Sequence, residues 1–247
     1  MKLSFCITCM NRLYQLRETL PHNLKAIEFL DGVELCLVNF NSQDGLDEYI
    51  KEHFMHYIES GKLNYFYTKE PEYFHCSIAK NLAHRLGSGD ILYNLDGDNF
   101  ITETNVNEIL GVFANRKKIF LHERRNLSKE DIHDGTYGRI ALTRVNFYLL
   151  NGYDENLLGA SQHDCDLIKR LKKFKIHKLL AQSDIIPAIL NDKTATMANQ
   201  KFKVPHCVYM WVNDFLIFWR NALRKSVNPN GMQSFLGILN FKEHTEI

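Results

Sequence analysis

The chain has 247 residues, 45% of them hydrophobic and 24% charged, which fits a globular protein and excludes a disordered or fibrous one. Thirty Lys and Arg against 29 Asp and Glu leave a formal net charge of +1, so no global field points to nucleic acid and any charged site has to be local. Six scattered cysteines need no disulfide framework in a chain of this length, and no apolar run approaches the roughly 20 residues of a membrane-spanning helix.

LSFCITCM (3–10) is short, continuous and apolar, and predicts a buried strand. Cys6 and Cys9 lie three apart on it, so they point to opposite faces and read as buried thiols rather than a redox pair. No small-residue cleavage site follows, so no signal peptide is expected and a reduced, cytoplasmic setting is the simpler expectation. Leu13, Leu16, Leu20, Leu24 and Ile27 recur at helical spacing over 12–30, with Pro21 predicting a break or kink. VELCLVNF (33–40) is a second buried strand, 41–45 a loop, 46–60 a helix stopped by Gly61, and LNYFYT (63–68) a third strand. A helix over 77–86 ends at Gly87-Ser88-Gly89, ILYNL (91–95) is the fourth strand, and Thr102 caps a helix over 103–115.

Strands are predicted at 118–123 and 139–143, separated by a polar, mobile loop at 124–136 and followed by a helix over 144–151. Ser161-x-x-Asp164 before LIKRLKKF has the form of a capping box, and Asp166 and Arg170 have ion-pair spacing. One short strand within 176–190, a polar loop at 191–204 and an aromatic helix over 206–225 complete the pass. That helix has three readings: a core helix, which is the commonest; a dimer contact; or a membrane-surface helix. In the last, Trp211 and Trp219 sit at the interface and Arg220, Arg224 and Lys225 face anionic lipid.

Alternating strands and helices argue for an α/β sandwich with a mainly parallel sheet, and such sheets bind ligands beyond the carboxyl ends of their strands. Three predicted ends carry polar groups: Thr8, Asn11 and Arg12; Asn39, Asn41 and Asp44; Asp96 and Asp98. Residues two apart in extended chain point the same way, so Asp96 and Asp98 can converge, with Gly97 leaving room for a ligand. Paired carboxylates repel unless a cation joins them, and hard cations such as Mg²⁺ or Mn²⁺ take oxygen ligands. A plain polar turn is the alternative. Ile101 and Asn107 exclude an EF-hand loop, and the dispersed histidines exclude a zinc site.

Four segments in order then resemble the nucleotide-sugar glycosyltransferases of the GT-A fold, family 2 and the related galactosyltransferase-type domains. They are ITCMNR (7–12), VNFNSQD (38–44), SIAKNLAHRLGSGDILYNLDGDN (77–99) and NGYDENLLGASQHDCDL (151–167). The resemblance implies a three-layer sandwich with a Rossmann-like nucleotide half at about 1–100 and an acceptor half at about 101–205. The aromatic helix and tail at 206–247 would pack on this catalytic domain. It implies that Thr8, Asn11, Arg12 and Asn39 border the nucleotide, that Asp44 reads the base, and that Lys80 lies near it. Asp96 and Gly97 would face the ribose, Asp96 and Asp98 would hold Mn²⁺ or Mg²⁺, and Asp164 would be the base of an inverting transfer. His206 stands where a third metal ligand often falls, though isolated histidines are more often packing or surface residues. Asn39 and Phe40 replace two acids of the family pattern, and His163 replaces a Glu.

The expected partners are a UDP-sugar donor and a glycan or lipid-linked glycan acceptor, with peripheral membrane contact through 208–225 and no nucleic acid. Two alternatives stand beside this. A sugar nucleotidyltransferase would want a Gly-rich loop after the first strand, and CMNRLYQLR has no glycine. A non-catalytic nucleotide- or carbohydrate-binding domain of the same fold would not need Asp96, Asp98 and Asp164 together.

Overall fold

The first strand, β1 (Leu3–Cys9), lies between two parallel partners, β2 (Val33–Phe40) and β4 (Ile91–Asn94). The computed structural model describes residues 1–123, 135–159, 161–233 and 237–241; most of the expected 124–136 loop lies outside them. The other strands are β3 (Leu63–Thr68), β5 (Ile119–His122), β6 (Ile140–Thr143), β7 (His177–Leu180) and the two-residue β8 (Leu239–Asn240). Together they form one sheet in the order β7-β5-β6-β4-β1-β2-β3-β8. It is mainly parallel: β6 runs antiparallel to β4 and β5, and β8 to β3.

The continuous apolar runs have a simple cause. Both faces of the sheet are covered, so every position of β2 is buried. Leu3, Phe5, Ile7 and Cys9 feed a core shared with α1 (Leu13–Ile27) and α5 (Glu103–Phe113). Cys6 feeds the opposite core, beneath α4 (Cys76–Leu86), α6 (Arg144–Leu149) and α7 (His163–Lys173). Three layers result. Cys6 and Cys9 are free thiols on opposite faces, and burial pushes Cys9 up to about 12.

Several local expectations are corrected. Pro21 is exposed inside α1, which continues through it; the missing N–H falls on the solvent side. The helix expected over 46–60 is two, α2 (Leu46–His53) and α3 (Met55–Glu59), because Phe54 leaves helical geometry (φ −125°) and enters the core. The polar loop at 191–204 contains α8 (Lys193–Ala198), which the Asp192 carboxylate caps by accepting from Thr194 N–H. α7 begins after Gln162, at φ 66°, with no side-chain cap, so Ser161 and Asp164 form no capping box. Thr102 does cap α5, exchanging hydrogen bonds with Asn105. The last helix, α9 (His206–Ala222), buries only Tyr209, Asn213 and Ile217 and is not a core helix. No helix among the described residues is long and apolar enough to cross a membrane.

Candidate active site

Because β4, β1 and β2 are parallel neighbours, their carboxyl ends share one edge. Asp96, Gly97 and Asp98 leave β4 there, beside Thr8 of β1, and line one cavity of about 540 Å³ together with Arg12, Lys80, Asp164 and His206. Asp98 is buried; its Oδ1 accepts from Asn99 Nδ2 and its Oδ2 from Asn191 Nδ2, both at 2.7 Å. Burial, and then the charge of Asp96, raise its pKa to about 6. A carboxyl raised by burial and then by a neighbouring acid marks a place where a positive charge is favoured. The donors are hard oxygens, so a divalent cation fits Asp96 and Asp98. Among the described residues no three His, Cys, Asp or Glu side chains are grouped as a ready-made metal site. His206 reaches the cavity as the exposed first residue of α9 and does not complete a triad.

α4 carries Lys80 into the same cavity from the other side of the sheet. Its Nζ lies 3.0 and 3.1 Å from the carboxylate oxygens of Asp164 and 3.3 Å from Asp96 Oδ1. Burial alone would discharge this lysine; Asp164 and then Asp96 reverse the effect and hold its pKa well above the usual value. Lys80 is thus a bridge between two carboxylates. Asp164 is the second residue of α7, where the helix dipole favours an anion. The adjacent His163 is buried, its Nδ1 2.6 Å from Ser77 Oγ and its Nε2 2.9 Å from the Gly159 carbonyl. Burial, and then Lys80, push its pKa down to about 3, so this neutral imidazole is a packing residue and not a substitute acid.

Gly138 was missing from the sequence-predicted set. A Cβ there would stand 2.4 Å from Asp96 Oδ2 and 3.3 Å from Asp164 Oδ2, so the absence of a side chain shapes the space both carboxylates occupy. Its carbonyl accepts from Asn94 Nδ2, which also reaches Asp96. Nothing near Gly138 in sequence signals this; the antiparallel register of β4 and β6 brings it there.

The segment around α8 was also missing. Asn191 donates to Asp98, and its Oδ1 accepts from Arg12 Nη1 at 2.9 Å. Arg12 also bonds Thr196, and Asn11 Nδ2 donates to Asn199 Oδ1 at 2.8 Å. This strap therefore holds the polar end of β1 against the acid pair. A Cβ at Gly97 would meet only ordinary contacts, the nearest at 3.6 Å, so the protein's own packing does not demand glycine there.

A second cavity, about 440 Å³, opens at the ends of β2 and β3 and is lined by Asn39, Gln43, Asp47, Tyr67 and Lys69 among others. Asn39 donates to Asp47 Oδ1 and accepts from Ser42 N–H. Asp47, which the sequence did not single out, takes a second hydrogen bond there from Tyr65 at 2.5 Å. Asp44 lies outside the lining set, and its Oδ2 accepts from Leu13 N–H at the start of α1, at 2.7 Å.

No curated protein sequence matches the chain. Among solved structures, similarity extends to an S. aureus TarS fragment, to the Pyrobaculum calidifontis mannosyltransferase PcManGT, and to a mutant of Drosophila beta1,4galactosyltransferase 7. The TarS fragment gives a TM-score of 0.59 at 12% identity, covering 75% of this chain and 59% of that one. PcManGT, in complex with GDP-Man and Mn²⁺, gives 0.67 at 14%, covering 93% and 66%. The galactosyltransferase, with manganese, UDP-Gal and xylobiose, gives 0.58 at 13%, covering 94% and 83%. The chain thus spans less than two thirds of the length of the first two, and identities this low speak to the fold alone. The profile of the family described as Glycosyl transferase family 2 matches residues 4–172, well over half of the sequence. This chain belongs to glycosyl transferase family 2, with a GT-A fold.

Proposed function

We propose that the chain transfers a sugar from a nucleotide-sugar donor, a UDP-sugar, to a hydroxyl of a glycan acceptor, with inversion. One observation carries this: Asp96, Asp98, Asp164 and Lys80 converge on a single cavity at the carboxyl edge of the sheet. Asp96 and Asp98 would hold Mn²⁺ or Mg²⁺, with His206 a candidate third ligand. The ion, when bound, supplies positive charge for the diphosphate leaving group. The presence of Mn²⁺ with GDP-Man in PcManGT and of manganese with UDP-Gal in the galactosyltransferase supports that choice.

The chain's own groups do the rest. Asp164, held ready by Lys80, accepts the proton of the acceptor hydroxyl. Arg12 exchanges Asn191 and Thr196 for the diphosphate, and Thr8, Asn11 and Gly97 border it. The cavity by Asn39 and Asp47 receives the base, with Asp47 a nearer carboxylate than Asp44. We assign residues 1–205 to the catalytic domain and 206–247 to its C-terminal appendage.

Calorimetric titration with UDP and Mn²⁺, followed by hydrolysis and transfer assays over a panel of UDP-sugars, tests the reading. Metal-dependent turnover that disappears in Asp98→Ala supports it. If no nucleoside diphosphate binds with or without metal, the proposal fails; UDP binding without turnover would favour a non-catalytic binder.

A further inference from the structure

α9 is attached to the body of the protein by polar groups. Asn213, fully buried, exchanges hydrogen bonds with Leu158 and donates to the Ser161 carbonyl. Arg220 pairs with Asp154 and Asp166, each at 2.6 Å. The Tyr209 ring lies over Gly159, where a Cβ would come within 2.6 Å of it. These inward positions recur every three or four residues, so the opposite face of the helix points outward. That face carries Trp211, Phe215, Phe218 and Trp219, all exposed, Trp211 by 75% and Phe218 by 63%. Trp219 stacks edge-on against both phenylalanines, and Trp211 lies one turn before Phe215 on the same face.

A surface helix ordinarily turns its apolar stripe inward. Here the arrangement is inverted, so the stripe calls for an apolar neighbour. Charge indicates which. Lys201 and Lys203 precede the helix, Arg224 and Lys225 follow it, and all four are exposed; Asp214 is the single acid of the helix. Two copies packing stripe to stripe in antiparallel fashion would bring the basic end of one helix against the basic start of the other. An anionic surface meets both ends favourably. We infer that α9 lies in the plane of an anionic lipid bilayer, its Trp211–Trp219 stripe in the interface and its flanking cations on the headgroups. The start of α9, at His206, lines the active-site cavity, so docking sets that cavity beside the membrane. Docking does not depend on the proposed transfer, so vesicle binding and UDP binding can fail separately.

The chain's two tryptophans both lie on this stripe, so intrinsic fluorescence reports on it without background. The full chain is mixed with phosphatidylcholine vesicles, with or without phosphatidylglycerol. The expected result is a blue-shifted emission and co-sedimentation with the anionic vesicles. Arg224→Glu with Lys225→Glu should weaken binding by at least about thirtyfold. Phe215→Ser with Phe218→Ser should abolish it, with circular dichroism unchanged because neither ring is buried. Absence of both signals with anionic vesicles overturns the inference, as does equal binding to uncharged vesicles. A blue shift that grows with protein concentration and needs no lipid overturns it too, assigning the face to a second copy.

Discussion

The Lys80 ammonium lies 3.0 Å from Asp164 Oδ1 and 3.1 Å from its Oδ2, and the same nitrogen is 3.3 Å from Asp96. One buried cation therefore ties the proposed base to the proposed metal carboxylate. The two acids come from the end of β4 and the start of α7, and the lysine comes from α4. A change in charge at the metal side is felt at the base through a single shared partner.

Asp164→Asn removes the proton acceptor while Asp96 still pairs Lys80, so the variant should fold. Turnover should fall by roughly 10²–10⁴-fold, the usual size of general-base catalysis. UDP affinity, measured by calorimetry, should stay near the native value. Undiminished turnover would move the base elsewhere.

Gly138→Ala places a methyl group against Asp96 and Asp164. The clash is with the ends of side chains, not with backbone, so the thermal midpoint should shift by no more than about 2–4 °C, corresponding to about 1 kcal/mol. The displaced carboxylates should nonetheless lower kcat/KM by at least about tenfold, since a displacement near 1 Å can cost on the order of 10²-fold. A variant with native kinetics would show that the two acids tolerate movement.

Asp98 has a folded-state pKa of about 6, above its ordinary 3.8, through burial and Asp96. The folded chain therefore binds more protons than the unfolded chain between those values, and this group's contribution to stability falls as pH rises through the window. In metal-free protein, the midpoint difference between wild type and Asp98→Asn should move against the wild type between pH 4 and pH 6, by thermal scanning. Mn²⁺ competes with that proton, so its stabilising shift should be larger at pH 7 than at pH 5. A pH-independent shift would remove Asp98 from the metal site.

Arg139, next to Gly138, is completely buried; it pairs with buried Glu123 and donates to Tyr93 at 2.8 Å. Arg139→Met leaves a buried carboxylate without its cation and should cost about 3–5 kcal/mol. Arg139→Met combined with Glu123→Leu and Tyr93→Phe should recover part of that loss in urea unfolding, because the apolar replacements leave no buried charge and no unpaired Tyr93 hydroxyl. Failure of the triple variant to recover would mean that the pair organises β5 and β6 in some further way.

The central strands and the acid pair were legible because their causes are local. A strand covered on both faces reads as a mainly apolar run, as 3–10 and 33–40 do, interrupted inside the sheet only by Ser4 and Glu34, which hydrogen-bond each other, and Thr8 and Asn39 near the carboxyl ends. Asp96 and Asp98 stand where Ile91–Asn94 stops. The Thr102 cap and the Asp166–Arg170 pair, 2.7 Å apart, were visible for the same reason: each interaction closes within one turn of helix. Asp164 was legible only through family resemblance, since its partner Lys80 is 84 residues away in sequence.

What escaped the linear reading depends on how layers stack. Gly138 matters because β6 pairs antiparallel with β4, and Asn191 because the α8 segment crosses from the far end of the chain to Asp98. The choice among the three readings of α9 also depends on stacking, and the core reading, the commonest, is the one that its few buried residues overturn. An aromatic helix looks like core from composition, and only the burial of Asn213 and the pairing of Arg220 show which face turns inward. Spacing along the chain specifies the strands and the acids at their ends. Strand order and helix rotation, which no local pattern encodes, specify which acid meets which lysine and which face meets the outside.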